Sequence, residues 1–125
     1  MPRSAAAGGV ASYDDDVTVT GSGSYTTAGA EVSVLRAEQS TITCKVVSTD
    51  AGDSDVVSFH FIGRGEDQAW PTIASWIVNV PTAGDATAIK ETVVNVSPYV
   101  RIKLLKITNG NTNDVTANAS VGYTY

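Results

Sequence analysis

The last eleven residues constrain the fold of this chain more than any other stretch. Val115, Ala117, Ala119, Val121, Tyr123 and Tyr125 alternate there with Thr116, Asn118, Ser120, Gly122 and Thr124. A period of two places the first set on one face of a β-strand and the second on the other, which describes a half-buried antiparallel strand. The same period recurs upstream, and strands are expected at 17–20, 31–35, 41–48, 55–62, 72–80, 86–96 and from 99 onward. Turn residues separate them: Gly21-Ser22-Gly23-Ser24, Thr49-Asp50-Ala51-Gly52-Asp53, Gly63-Arg64-Gly65, Pro81 and Ser97-Pro98.

The seventh segment carries an irregularity. Val100, Ile102 and Leu104 point inward and Arg101 and Lys103 outward, but the alternation fails at Leu104-Leu105-Lys106-Ile107. One extra residue, a β-bulge, returns Ile107 to the core and leaves Lys106 in solvent. Composition agrees with strands throughout: 17 Val, 7 Ile and 15 Thr stand against three Leu, a bias that suits a pleated surface and suits helix poorly. The short stretch Val34-Leu35-Arg36-Ala37-Glu38-Gln39 lacks a cap and reads as a turn. Eight strands in 125 residues, without a helical period between them, predict one all-β antiparallel sandwich or jelly roll over 17–125. Residues 1–16 form an Ala/Gly-rich arm ending in Asp14-Asp15-Asp16 that cannot pack a core of its own.

Several function classes are disfavoured. Thirteen acids against eight bases give a net charge of −5, which argues against a nucleic-acid backbone as partner. No apolar run is long enough for a membrane-spanning helix, and the alanines of the arm run into two glycines without forming the apolar core of a leader peptide. The sequons at Asn95 and Asn118 fall inside expected strands and read as chance. With one cysteine, Cys44, and one histidine, His60, a tetrahedral nitrogen–sulfur metal site cannot be assembled. Strands three and four read as hairpin neighbours, yet Cys44 falls on the inward face and His60 on the outward one, so a thiol–imidazole dyad is not expected. No catalytic residue and no cofactor is assigned.

Four weaker constellations remain. Asp50, Asp53 and Asp55 crowd one turn and are the calcium candidates, against a default of solvated turn residues that cap a hairpin. Arg101, Lys103 and Lys106 form a basic stripe, suited to protecting a sheet edge or to an intersubunit contact. Trp70, Trp76, Tyr99, Tyr123 and Tyr125 could line a sugar platform, although a sandwich core also needs large rings, and Tyr99 is placed like a loop-pinning corner tyrosine. Gly21-Ser22-Gly23-Ser24 lacks the lysine and helix of a phosphate loop and reads as a flexible connector.

Trp76-Ile77-Val78-Asn79-Val80-Pro81, Val93-Val94-Asn95-Val96-Ser97-Pro98-Tyr99-Val100-Arg101-Ile102-Lys103 and Val121-Gly122-Tyr123-Thr124-Tyr125 together resemble small β-sandwich proteins of tailed-bacteriophage virions, over roughly residues 40–125. Pro98-Tyr99-Val100-Arg101-Ile102 is also similar to segments of galactose-binding-like jelly rolls in carbohydrate-binding modules. The first resemblance implies a non-enzymatic capsid decoration (cement) protein, or a neck or tail component. It implies a homo-oligomer, a trimer by expectation, on the capsid surface, with the major capsid protein or other virion proteins as partners and neither nucleic acid nor membrane. Pro2, Arg3, Val10 and Tyr13 of the arm, with Arg101, Lys103 and Lys106, are then the expected assembly contacts. The second resemblance implies a carbohydrate-binding or adaptor module of a tail, neck or cell-surface apparatus.

Overall fold

The computed structural model describes residues 9–26, 31–33, 39–65, 74–95 and 101–124. They form nine strands: β1 (Gly9–Val19), β2 (Ser24–Thr26), β3 (Glu31–Ser33), β4 (Gln39–Val47), β5 (Val56–Arg64), β6 (Ala74–Pro81), β7 (Thr87–Asn95), β8 (Arg101–Asn109) and β9 (Val115–Thr124). The fold is the expected all-β antiparallel sandwich. A front sheet runs β1-β9-β4-β7, and a back sheet runs β2-β8-β5-β6 with β3 also on β8.

Alternation explains the core. Ile42, Cys44 and Val46 of β4 and Val115, Ala117, Ala119 and Val121 of β9 turn one way, while Val57, Phe59 and Phe61 of β5 and Ile102, Leu104 and Ile107 of β8 turn the other. The back sheet brings two phenyl rings, Phe59 and Phe61, and on the front sheet the small Ala117 and Ala119 of β9 stand beside Ile42, Cys44 and Val46 of β4. Side chains of unequal size from the two layers fill a gap of about 10 Å. Each fully buried large apolar side chain contributes about 1.5–3 kcal/mol relative to exposure.

The expected bulge is present. His60 pairs with Lys106 and Phe61 with Leu104, so Leu105 is the supernumerary residue. Ile107 is fully buried and Leu105 is exposed, but Lys106 is half-buried rather than free in solvent, because it stands beside His60 within the sheet. On the other flank of β8, β2 pairs with residues 106–108 and β3 with 101–103.

Four expectations on topology need correction. The first strand begins at Gly9 rather than Val17, pairing with β9 along its length, so only residues 1–8 of the expected arm precede it. Asp14-Asp15-Asp16 lies inside this edge strand, at two breaks in register. Charge and irregularity there blunt the sheet edge. Strands β4 and β5 are not hairpin neighbours, since the 48–55 segment crosses from the front sheet to the back one. The basic stripe does not guard an edge, because β8 lies inside the back sheet, between β5 and the β2/β3 pair. Gly21-Ser22-Gly23 forms a tight turn rather than a loose connector: the Gly23 amide donates to the Thr20 carbonyl at 3.1 Å, and a Cβ on Gly21 would stand 2.0 Å from the Thr112 carbonyl oxygen.

Candidate functional site

Four connections share one end of the sandwich: 20–23, 48–55, 82–86 and 110–114. Each crosses between the sheets. A crossing segment leaves the hydrogen-bond ladder of both sheets, so its amides and carbonyls need other partners. Buried amide and carboxylate side chains supply them.

Asn109, fully buried at the end of β8, is the hub. Its Nδ2 donates to the carbonyls of Val19 at 3.2 Å, Thr20 at 3.3 Å and Asn113 at 2.8 Å. Its Oδ1 accepts from the Asn111 amide at 2.9 Å and from Asn111 Nδ2 at 3.2 Å. Asn111, also buried, accepts from the Asp55 amide at Oδ1, 2.9 Å away, while its carbonyl accepts from the Ser22 amide at 2.7 Å. Thr82 donates its hydroxyl to the Asp55 carbonyl at 2.7 Å. Asp53, 3% exposed, accepts from the Ser48 hydroxyl and from Asn113 Nδ2, and its carbonyl accepts from the Gly84 amide at 2.7 Å. Gly84 holds φ +74°, in the left-handed region where a side chain is strained. The Asp114 carboxylate accepts from the Gly21 amide at 2.9 Å. The four crossings are therefore mutually tied.

Between the 52–55 and 110–112 segments this network leaves a cleft of about 200 Å³, lined by Gly52, Asp53, Ser54, Asp55, Gly110, Asn111 and Thr112. Of the calcium candidates, Asp53 and Asp55 line it and Asp50 does not, and each of the three uses at least one carboxylate oxygen in a hydrogen bond within the protein. Asp50 Oδ1 accepts from the Gly52 amide at 2.7 Å, Asp55 Oδ1 from the Val56 amide at 2.7 Å, and Asp53 is held as above. Among the described residues no three acidic, histidine or cysteine side chains converge as metal ligands. Nor are all three solvated turn residues, since Asp53 is buried as an internal acceptor. Among the described residues the lining offers carboxylate, amide and hydroxyl groups for hydrogen bonding.

The remaining site residues lie elsewhere. Cys44 sits on the inner face of the front sheet, where burial pushes its thiol up to about 12. His60 lies in the back sheet, half-buried on its outer face, held below the ordinary histidine value first by desolvation and then by the Lys106 ammonium. The two are on different layers, so no dyad forms. Trp76 packs against the core from the inner face of β6 and does not present a free ring platform. Trp70, Tyr99 and Tyr125 lie outside the described residues, as do Pro2 and Arg3. Val10 and Tyr13 fall on β1, and Tyr123 on β9, without a described side chain.

The charges are segregated. The four crossings hold Asp50, Asp53, Asp55, Asp85 and Asp114 and not one lysine or arginine. Arg64, Arg101, Lys103 and Lys106, half of the eight bases in the chain, share the outer face of the back sheet. Sequence reasoning found the stripe on β8 but missed Arg64, whose place beside Arg101 only the strand pairing shows. It also missed the Asn109 hub, although an unusual density of asparagine in Asn109-Gly110-Asn111-Thr112-Asn113 marks the spot. Apolar side chains are exposed on both outer faces: Ile89 (61%) and Val93 (63%) on edge strand β7, Ile77 (58%) on edge strand β6, and Leu105 at the bulge.

No family model and no curated protein matches this chain. Solved structures do. A crystal structure of tripeptidyl peptidase 2 aligns with 91% of this chain at a TM-score of 0.60 and 13% identity. The structure of the infectious bursal disease virus Gx strain aligns with 94% at 0.58 and 16% identity. The enzymatically active domain of bacteriophage CBA120 tailspike protein 4 aligns with 93% at 0.51 and 8% identity. This chain spans only 10%, 32% and 19% of those chains, respectively. At such identities the likeness establishes the sandwich fold alone.

Proposed function

We propose that this chain is a non-enzymatic structural protein of a virion, a capsid decoration (cement) protein that works as a homo-oligomer on the shell of a tailed bacteriophage. The observation that carries the reading is the display of Ile77, Ile89 and Val93, each more than half exposed, on the two edge strands at one side of the sandwich. Apolar side chains held out on edge strands suit contact with neighbouring protein. Strand β6, Ala74–Pro81, carries no charged residue at all, whereas β1 has its aspartates and β7 has Lys90 and Glu91. Viral particle structures among the fold neighbours fit this reading, and the net charge of −5 fits protein rather than nucleic acid as partner. Among the described residues no helix is long and apolar enough to cross a membrane.

The test is cosedimentation of the purified chain with shells of its major capsid protein, followed by thermal disruption of the shells. Stoichiometric binding and a raised disruption temperature are expected. An Ile89→Asp, Val93→Asp double variant should bind at least tenfold more weakly. Shells that leave the intact chain in the supernatant would refute the proposal.

A second reading, a carbohydrate-binding or adaptor module, draws on the cleft beside Asp53, Asp55 and Asn111, whose acceptors could take sugar hydroxyls. A glycan array distinguishes it: reproducible hits lost on Asn111→Ala support it, and a blank array removes it.

A further inference from the structure

We propose that Asn109 and Gly110 form a spontaneous deamidation site that the fold keeps closed and unfolding opens, so that a chain left unfolded loses the side chain it needs to refold. The proposal is independent of the virion role, since it concerns the covalent chemistry of the chain itself.

The chemistry belongs to an asparagine and the residue that follows it. The following backbone nitrogen gives up its proton and attacks the side-chain carbon Cγ. A new C–N bond closes a five-membered imide, the Cγ–Nδ2 bond breaks, and Nδ2 leaves with a proton as ammonia. Water then adds to either carbonyl of the imide, giving aspartate or isoaspartate. Glycine favours this attack because it has no Cβ to hinder its nitrogen and leaves the backbone free to turn. Of the six asparagines in the chain only Asn109 precedes a glycine.

The fold requires both members of this labile pair. Asn109 is the hub of the crossing segments, and no other side chain of its size offers two donated hydrogens and an acceptor in the same plane. A Cβ on Gly110 would stand 2.8 Å from the Val56 carbonyl oxygen and 3.0 Å from Asp55 Oδ1, so a larger residue would displace backbone.

The contacts that require the pair also hold it closed. Ring closure swings Cγ onto the Gly110 nitrogen, which breaks all five hydrogen bonds of the Asn109 carboxamide. The Gly110 amide, whose proton must leave, donates it to the Val56 carbonyl at 2.9 Å. The Asn109 amide donates to the Gly23 carbonyl at 2.9 Å, so the backbone is pinned on both sides of the reacting carbon. The Asp55 carboxylate beside Gly110 opposes a negative charge on that nitrogen. At 1% exposure Asn109 is also shielded from the water that would open the imide. Reaction therefore proceeds from an opened state, at a rate scaled by the population of that state.

Neither product rebuilds the hub. Aspartate sets an oxygen against the carbonyls of Val19, Thr20 and Asn113. Isoaspartate adds a carbon to the main chain and shortens the side group, which takes the Gly110 amide out of register with Val56.

Mass spectrometry of the full chain, incubated at pH 8 with and without guanidinium chloride, tests the inference. Cleavage after Lys106 releases residues 107–125, which hold Asn109, Asn111, Asn113 and Asn118 together, so three comparators share one peptide. In guanidinium Asn109 should convert before the other three, and at least tenfold faster than in the folded protein. Gly110→Ala in guanidinium, where its packing clash is irrelevant, should convert at least tenfold more slowly than the parent. When a half-converted sample is diluted from guanidinium, the folded fraction should hold at least tenfold less isoaspartate at 109 than the fraction that fails to fold. If the fresh chain does not refold, conversion is followed across the unfolding transition instead, and its rate should rise in step with the unfolded population. Equal rates in folded and unfolded chain, or a rate flat across the transition, overturn the proposal. So does another asparagine reacting first in guanidinium, a Gly110→Ala chain as fast as the parent, or a folded fraction that carries isoaspartate as abundantly as the rest.

Discussion

Replacing Asn109 by alanine removes a side chain that serves two of the four sheet-crossing connections directly and a third, at Asp55, through Asn111. Its Nδ2 carries two hydrogens spread over three carbonyls, and its Oδ1 takes both the amide and the side-chain nitrogen of Asn111. Water can replace the lost donor at Asn113, which is exposed, but not at Val19 or Asn111, which are buried. Two buried groups left without partners cost about 1–3 kcal/mol each, so Asn109→Ala should destabilise the fold by about 3–4 kcal/mol. A domain this size has a total stability of about 5–15 kcal/mol, so the loss should be plain in urea unfolding and as a fall in Tm of about 10–15 °C. Asn109→Asp refines the test, because it keeps the acceptor for Asn111 and places an oxygen against three carbonyl oxygens. The folded state then favours the protonated acid and raises its pKa above the unfolded value of about 3.9. Stability contributed by that proton is present at low pH and lost as pH rises through the folded pKa, so Asn109→Asp should be poor at pH 7 and recover toward pH 4. A cost below about 1 kcal/mol for Asn109→Ala, or a pH-independent Asn109→Asp, would contradict the role of the hub.

Other perturbations follow from single side chains. Cys44, with its thiol pushed up to about 12 by burial, should resist thiol reagents at pH 8 in the folded protein and react at once in denaturant. Ser40 Oγ is buried without a hydrogen-bond partner among the described residues, so Ser40→Ala should leave stability unchanged or raise it by about 1 kcal/mol in chemical denaturation. His60 has a folded pKa below its unfolded value, so the folded state binds its proton less well and stability is lost as pH falls below about 6.5. His60→Gln should therefore gain on the parent protein in Tm between pH 7 and 5, and a constant difference would count against this. Gly21→Ala should cost at least about 2 kcal/mol, read by the same urea titration, because its Cβ meets the Thr112 carbonyl rather than a movable side chain.

Short-range alternation and turn chemistry make much of the fold legible in the sequence. The β4, β5 and β9 alternations name Ile42, Cys44, Val46, Val57, Phe59, Phe61 and the Val115–Val121 series as inward, and all are buried. The misplaced Leu104-Leu105 pair gives the bulge, because an extra residue is visible as a break in a period of two. The candidate site is harder to read. Asp50, Asp53 and Asp55 stand out, yet whether a carboxylate in a turn meets water, a cation or an internal amide depends on which other loops fold over it. For Asp53 the answer is Ser48, nearby, and Asn113, sixty residues away.

Side-chain period and backbone punctuation belong to a strand and its immediate neighbours, so strands, their faces, the bulge and the opposed directions of Cys44 and His60 are all written in the linear chain. Which sheet each strand joins is settled by pairing between distant segments, and a segment such as 48–55 reads alike whether it closes a hairpin or crosses the core. Long-range pairing alone therefore separates β5 from β4, places β8 inside its sheet, extends β1 back to Gly9, and brings Arg64 beside Arg101. The gathering of acids at one end arises in the same way. Asp50, Asp85 and Asp114 are scattered along the chain and become neighbours because three separate crossings between the sheets pack together at one end of the sandwich.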